Sequence, residues 1–187
     1  MSVATDHTGP WTVADVLALP EDRTMRYELL GESLVMSPAP GVRHQRASFR
    51  LHVALDAAAR AVGAPVEILE GVNVVLPSGL VVPDLVVVDA GATADDPVAV
   101  DIDAVQLVVE LVSPGNSTMD RKVKPLLYAE AAIPHFWRLE LEPAPMIVAY
   151  ELESGRYTER ATALAGATTH LDAPFPIAMD PAGLARQ

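Results

Sequence analysis

Two stretches, Val81-Val82-Pro83-Asp84-Leu85-Val86-Val87-Val88 and Leu107-Val108-Val109-Glu110-Leu111-Val112, are apolar at nearly every position, yet each carries one carboxylate. Short apolar runs without alternation are the pattern of central strands covered on both faces, which calls for a sheet with further layers around it. A carboxylate inside such a run costs several kcal/mol unless it is paired, protonated or bound to a metal. A position at the sheet rim or an arginine partner would account for either acid alone. Asp84 and Glu110 together, in neighbouring strands, argue for a shared cation.

The remaining pattern surrounds these strands with helices and further strands. Thr12 to Leu19 reads as a short helix, with Thr12 as N-cap, Asp15 three residues on, and Pro20 as the stop. Tyr27 to Met36 turns at Gly31 and reads as a hairpin or a bent strand pair. Val42 to Val62 is the clearest helix, with Ala47, Leu51, Ala54, Leu55, Ala58 and Val62 at helical spacing and Gly63 closing it. Val66–Leu69, Val72–Leu76, Leu80–Asp89 and Val105–Val112 read as strands, with Pro77-Ser78-Gly79 as a turn and residues 90–103 as an acidic, solvated loop. After a break at 113–117 a helix is expected to about Ala132. Phe136–Leu141, Met146–Glu151 and Tyr157–Ala161 then read as strands, with a hairpin turn at Ser154-Gly155. No period marks the tail after about Gly166. This order predicts an α/β (α+β) domain with a mixed β-sheet flanked by helices. The 187 residues fit a single domain, with its core at about 11–161 and a C-terminal tail at about 166–187.

Composition narrows the chemistry. The chain has no cysteine, which excludes disulfides, thiolate zinc sites and cysteine nucleophiles. Two hard carboxylate ligands without cysteine suit magnesium or manganese (Mg2+ or Mn2+) rather than zinc. The N-terminal residues lack a basic region followed by an apolar stretch, so no signal peptide is expected. No apolar run approaches roughly 18 residues, so a soluble cytoplasmic protein without a membrane partner is expected. The net charge of −12 argues against coating nucleic acid by charge alone. Nearly all the cations are arginines, and the only two lysines, Lys122 and Lys124, fall together in one short segment. A lysine amine can be tuned to exchange a proton where a guanidinium cannot. Beside a metal it could orient or deprotonate a water, or neutralise charge on phosphorus.

Pro83-Asp84, then Glu110 after 25 intervening residues, then a lysine, resembles the PD-(D/E)XK nuclease superfamily. The wider order is more specific. Arg26-Tyr27-Glu28-Leu29-Leu30-Gly31-Glu32, His44-Gln45-Arg46, Val82-Pro83-Asp84, Val109-Glu110-Leu111-Val112-Ser113-Pro114, Asp120-Arg121 through Lys124 to Tyr128, and Ile133-Pro134-His135-Phe136-Trp137 resemble the Uma-two family of restriction-endonuclease-like proteins. The resemblance implies a restriction-endonuclease-like fold, with metal ligation by Asp84 and Glu110 and a contribution from Glu28. It also implies a catalytic lysine moved from position 112, here Val112, onto the following helix, and supporting roles for His44 and Asp120. Lys124 and Lys122 both remain open for that lysine, because Pro125 either sits in a first helical turn or kinks the helix. Trp137-Arg138-Leu139-Glu140 departs from the family's usual aspartate-proline ending.

The expected activity is magnesium-dependent DNA endonuclease, hydrolysing phosphodiester bonds by a metal-activated water. DNA is the expected partner, and a homodimer is expected because cutting both strands takes two sites. Two alternatives stand beside it: a catalytically inactive nuclease-fold scaffold that dimerises and binds, and a metal-dependent phosphoesterase acting on a non-nucleic substrate. His44 heads a helix beside Arg43, Arg46 and Arg50, which reads as a phosphate grip or an ordinary solvated face. His52 reads as a surface or satisfied helix histidine, and Tyr128, Phe136 and Trp137 as core or interface aromatics.

Overall fold

The computed structural model describes residues 7–20, 22–113, 115 and 117–185. Pro114 and Asn116, in the segment expected to break the chain after residue 112, lie outside them.

Helix α1 (Val13–Leu17) starts from Thr12, whose side chain accepts from the Asp15 amide while Asp15 reaches back to the Thr12 amide, a complete capping box. Strands β1 (Met25–Leu30) and β2 (Ser33–Pro38) form the hairpin, turning on Gly31 at φ 63°. Helix α2 (Val42–Val62) buries Ala47, Leu51, Leu55 and Ala59, and Gly63 ends it in the left-handed region at φ 65°. Val62, expected on the buried stripe, is exposed in the last turn.

The run 80–89, expected as one strand, is two. Strand β4 (Val74–Leu76) turns through Pro77-Ser78 into β5 (Gly79–Val81), which pairs with β1, whereas β6 (Leu85–Asp89) joins a second sheet beside β3 (Val66–Glu70). A Cβ at Gly79 would stand 2.0 Å from the Leu29 carbonyl oxygen, so only glycine lets β5 approach β1 this closely. Val82-Pro83-Asp84 carries the chain from one sheet to the other, and proline suits a link where no ladder bond is needed. Asp84 therefore stands immediately before β6, not within a strand. The loop at 90–103 is also more ordered than expected: β7 (Val100–Asp101) pairs parallel with β4, and Val100 is buried.

Strand β8 (Val105–Leu111) is the central strand its sequence predicts, between antiparallel β6 and parallel β9 (His135–Glu140). With β10 (Met146–Glu153) and β11 (Arg156–Leu164), the second sheet has the order β11-β10-β9-β8-β6-β3, and the first has β2-β1-β5-β4-β7. Side chains alternate across the second sheet with period two. Leu85, Val87, Leu107, Val109 and Leu111 meet α2, while Val86, Val88 and Val108 face the opposite cluster with Tyr128 and Phe136. Glu110 shares parity with Val108, so it points away from α2 toward the crossover helix.

That crossover resolves Pro125. A π-helical turn (Met119–Val123) leads into α3 (Lys124–Glu130), and the Lys124 amide bonds back to the Met119 carbonyl. The widened turn places Pro125 in the first turn of α3, where its missing N–H costs no helix bond.

The tail without a visible period packs into the core. Strands β12 (Thr169–Leu171) and β13 (Ile177–Met179) pair, α4 (Ala182–Ala185) lies against α2, and Leu171, Phe175, Ile177, Met179 and Leu184 join the cluster under α2. Three-residue strands are too short to show a period. Among the described residues no helix is long and apolar enough to cross a membrane. Replacing Phe175 by alanine should destabilise the fold by about 3 kcal/mol through the cavity it leaves, measurable as a lowered urea midpoint.

Candidate active site

Extending the β6–β8 register one step beyond Leu85↔Val109 sets Asp84 opposite Glu110. The Leu111 amide donates to Asp84 Oδ2 at 2.8 Å, fixing the carboxylate to the strand that carries Glu110. Two further donors complete Asp84: Arg26 Nη1 reaches Oδ1 at 2.6 Å from β1, and His44 Nε2 reaches Oδ2 at 3.1 Å from the first turn of α2. An ionised carboxylate can only accept, so His44 carries a hydrogen on Nε2, and its buried Nδ1 has no partner among the described residues. Burial would raise the Asp84 pKa, but the hydrogen bonds and charges of His44 and Arg26 outweigh it and hold the carboxyl at about 2.

Glu110, only 1% exposed, is held differently. Lys124 Nζ lies 3.0 Å from its Oε1 and the Tyr128 hydroxyl donates to the same oxygen; Lys124 and Tyr128 are one turn apart on a single face of α3. Lys124 Nζ also lies 2.9 Å from Glu28 Oε1, which accepts from the Val82 amide at 2.9 Å. Burial pushes the Glu110 pKa up to about 8; Lys124 opposes this, while Asp84, Glu28 and Asp120 add to it. Burial alone would lower the Lys124 pKa, yet the charges of Glu110 and Glu28 raise it above its ordinary value and keep it an ammonium. Asp120, in the π-helical turn, accepts from the Ser113 amide at 3.4 Å, and burial raises its pKa to about 6.

These groups line one cleft of about 560 Å³, whose wall also includes Val112, Arg43, Arg121 and Glu140. All the expected residues but one converge there: Asp84, Glu110, Glu28, Lys124, His44 and Asp120. Lys122 is exposed and does not line it. Of the two lysines left open, Lys124 is buried in the cleft, directly after the π-helical turn.

Sequence reading assigned no site role to Arg26 or Tyr128. The spacing of Lys124 and Tyr128 by four residues was the available signal for the phenol. For Arg26 the signal was its alternation with Glu28, which puts both on one face of β1. The arginines heading α2 divide: Arg43 pairs with Glu142 and donates to the Leu141 carbonyl, while Arg50 donates to the Gly183 and Leu184 carbonyls and ties α2 to the tail. Arg121 and Arg138 both pair with Glu140 at the cleft wall.

The donor set suits a hard divalent cation. Glu28, Asp84, Glu110 and Asp120 supply four carboxylates to one cleft, and the upward pressure on Glu110 from the other three is the strain such an ion would relieve. Among the described residues, no three His, Asp or Glu side chains already stand in an arrangement that would hold a metal. Asp84 and Glu110 are instead held by Arg26 and Lys124.

The family described as "Putative restriction endonuclease", Uma2, matches residues 13–182. The chain belongs to the Uma2 family. A solved structure described as that of a putative nuclease from Anabaena variabilis superposes with a TM-score of 0.70 at 14% identity, covering 94% of this chain and 92% of that one. This likeness shows the fold, a mixed α+β arrangement of the restriction-endonuclease kind. No curated protein matches. The order quoted from Arg26 to Trp137 thus lies wholly within the Uma2 match, and that match continues through the tail to α4.

Glu110 and Asp120 both bind protons more tightly folded than unfolded, so each withdraws stability as pH rises from the ordinary carboxylate range through its folded pKa. Asp84 acts oppositely, with stability present above its ordinary pKa and lost as pH falls toward 2. In chelator, stability should therefore fall by on the order of a few kcal/mol between pH 5 and 8.5. Glu110→Gln should flatten most of that slope, read from urea midpoints across the range.

Proposed function

We propose that this Uma2 protein is a magnesium-dependent DNA endonuclease, with Asp84 and Glu110 as metal ligands and Lys124 as the catalytic lysine. The observation that carries this reading is the position of Lys124, buried in the same cleft and bridging Glu28 and Glu110. A buried ammonium anchored by two carboxylates is a fixed positive charge, pre-set where charge develops on a phosphoryl oxygen.

Asp84, an anion throughout the neutral range, and Glu110 would hold Mg2+ or Mn2+ from opposite strands. The ion when bound supplies Lewis-acid polarisation of a phosphate oxygen and a lower pKa for an attacking water. The chain's own residues do the rest. His44 and the Leu111 amide keep the Asp84 carboxylate oriented, Tyr128 orients Glu110, and Glu28 keeps Lys124 from withdrawing along α3. Asp120, with its pKa near 6, stands where a proton can be taken up or released close to neutrality. Two copies of the cleft in a C₂ dimer would serve two strands.

One observation favours a second reading. The arginines at the cleft wall are already paired with Glu140 and Glu142, and the net charge is −12, so a compact phosphate ester would meet less repulsion than a long polyanion.

Asp84→Asn and Glu110→Gln should each abolish Mg2+-dependent cleavage of plasmid DNA while keeping the thermal midpoint within a few degrees. Lys124→Met should lower the rate by on the order of 10²-fold or more, whereas Lys122→Met should leave it unchanged. If no DNA or RNA is cut with Mg2+ or Mn2+ but a small phosphodiester is hydrolysed, the second reading replaces the first. If nothing is hydrolysed, the enzyme readings both fail.

A further inference from the structure

The three hydrogen bonds that Asp84 accepts are not equivalent. Oδ2 takes the Leu111 amide at 2.8 Å and His44 Nε2 at 3.1 Å, which fills both of its lone-pair directions. Oδ1 takes Arg26 Nη1 at 2.6 Å. It is therefore the oxygen through which Asp84 can reach a cation, and a guanidinium already sits on it.

Arg26 is also the one of these donors free to leave. Its side chain is 26% exposed, against 14% for His44, the other side-chain donor, and it lines the cleft. Lys124 differs: it is 7% exposed and gripped by two carboxylates. A guanidinium cannot shed its proton near neutrality, so it can yield to an incoming cation only by moving.

We infer that Arg26 is an internal counter-ion for Asp84 that a divalent cation displaces from Oδ1, after which the guanidinium turns to a phosphate oxygen of the substrate in the same cleft. This rests on the reading of the cleft as a metal-dependent phosphodiesterase site. Before displacement, Arg26 offsets the carboxylate crowding and weakens cation binding. After it, the planar fork of donors suits two phosphate oxygens. Removing the charge should therefore tighten metal binding and slow cleavage, effects of opposite sign that a merely structural arginine would not produce.

Calorimetric titration of Mn2+ into the wild-type chain, Arg26→Gln and Arg26→Lys separates the possibilities, with Asp84→Asn as the blank. Arg26→Gln should bind Mn2+ about tenfold tighter and cleave more slowly at saturating metal, while Arg26→Lys should bind close to wild type. Wild-type binding with equal or weaker binding by Arg26→Gln overturns the inference and leaves the nuclease reading standing. No Mn2+ binding by the wild type removes both. Should Arg26→Gln not fold, ¹⁵N spectra of the Arg26 guanidinium in the wild type decide. Saturating Mg2+ should move that resonance to the position of a free guanidinium, and an unmoved resonance overturns the inference.

Discussion

The fold is organised around the burial of one positive charge among several negative ones. Lys124 joins Glu28 on β1 to Glu110 on β8, so a single ammonium ties the first sheet, the second sheet and the crossover helix together. A buried ion pair is weak evidence for stability, because hydrophobic replacements often do as well. Breaking one partner of a buried pair is costly, however, and here three separate segments meet at one ammonium. The apolar clusters on either side of β6 and β8 offset the cost of burying these charges.

Those clusters explain why the carboxylates can be held so closely. Glu110 sits on the face of β8 that bears Val108, against Tyr128, with Phe136 beyond it, Tyr150 stacked on Phe136 and Tyr157 tilted against it. Water is excluded from that side, which strengthens every interaction Glu110 makes and raises its affinity for a proton. Asp84 lies across the register with three donors and is an anion. Two acids facing each other are thus pushed in opposite directions, Glu110 upward chiefly by burial and Asp84 downward by His44 and Arg26.

Much of this was legible in the sequence because it rested on violations of simple rules. An acid inside an unbroken apolar run stands out without any structure, and Asp84 and Glu110 did so. Helix α2, strand β8 and the Thr12 capping box were likewise legible, since each is long enough or specific enough to carry its own signal. The division of 80–89 into two strands in different sheets was not. Apart from Asp84 and the terminal Asp89 its residues are apolar on both sides of Pro83, so a change of sheet there leaves no mark in hydropathy. The tail was lost for a related reason: Leu171, Phe175, Ile177 and Met179 belong to pieces too short for a period, and only their burial under α2 reveals them. Arg26 was hidden because an arginine on a strand reads as solvated until its partner, here Asp84 on the link between the sheets, is known.

The lysine is where position and function part most clearly. Position 112, two residues beyond Glu110, does border the cleft, but it is valine. The ammonium arrives instead from α3. A lysine on the strand would be placed by the strand's own backbone, whereas Lys124 is placed by a π-helical turn, by Pro125 behind it, and by Tyr128 one turn on. Its location therefore depends on how the crossover helix packs against Val108 and Phe136, and the site inherits the stability of that cluster. The same helix supplies the phenol that orients Glu110. Moving the lysine off the strand thus makes one element responsible for both the fixed charge and the carboxylate beside it. Any motion of α3 would disturb the two together, while Asp84, held from β1, α2 and the Leu111 amide, would keep its place.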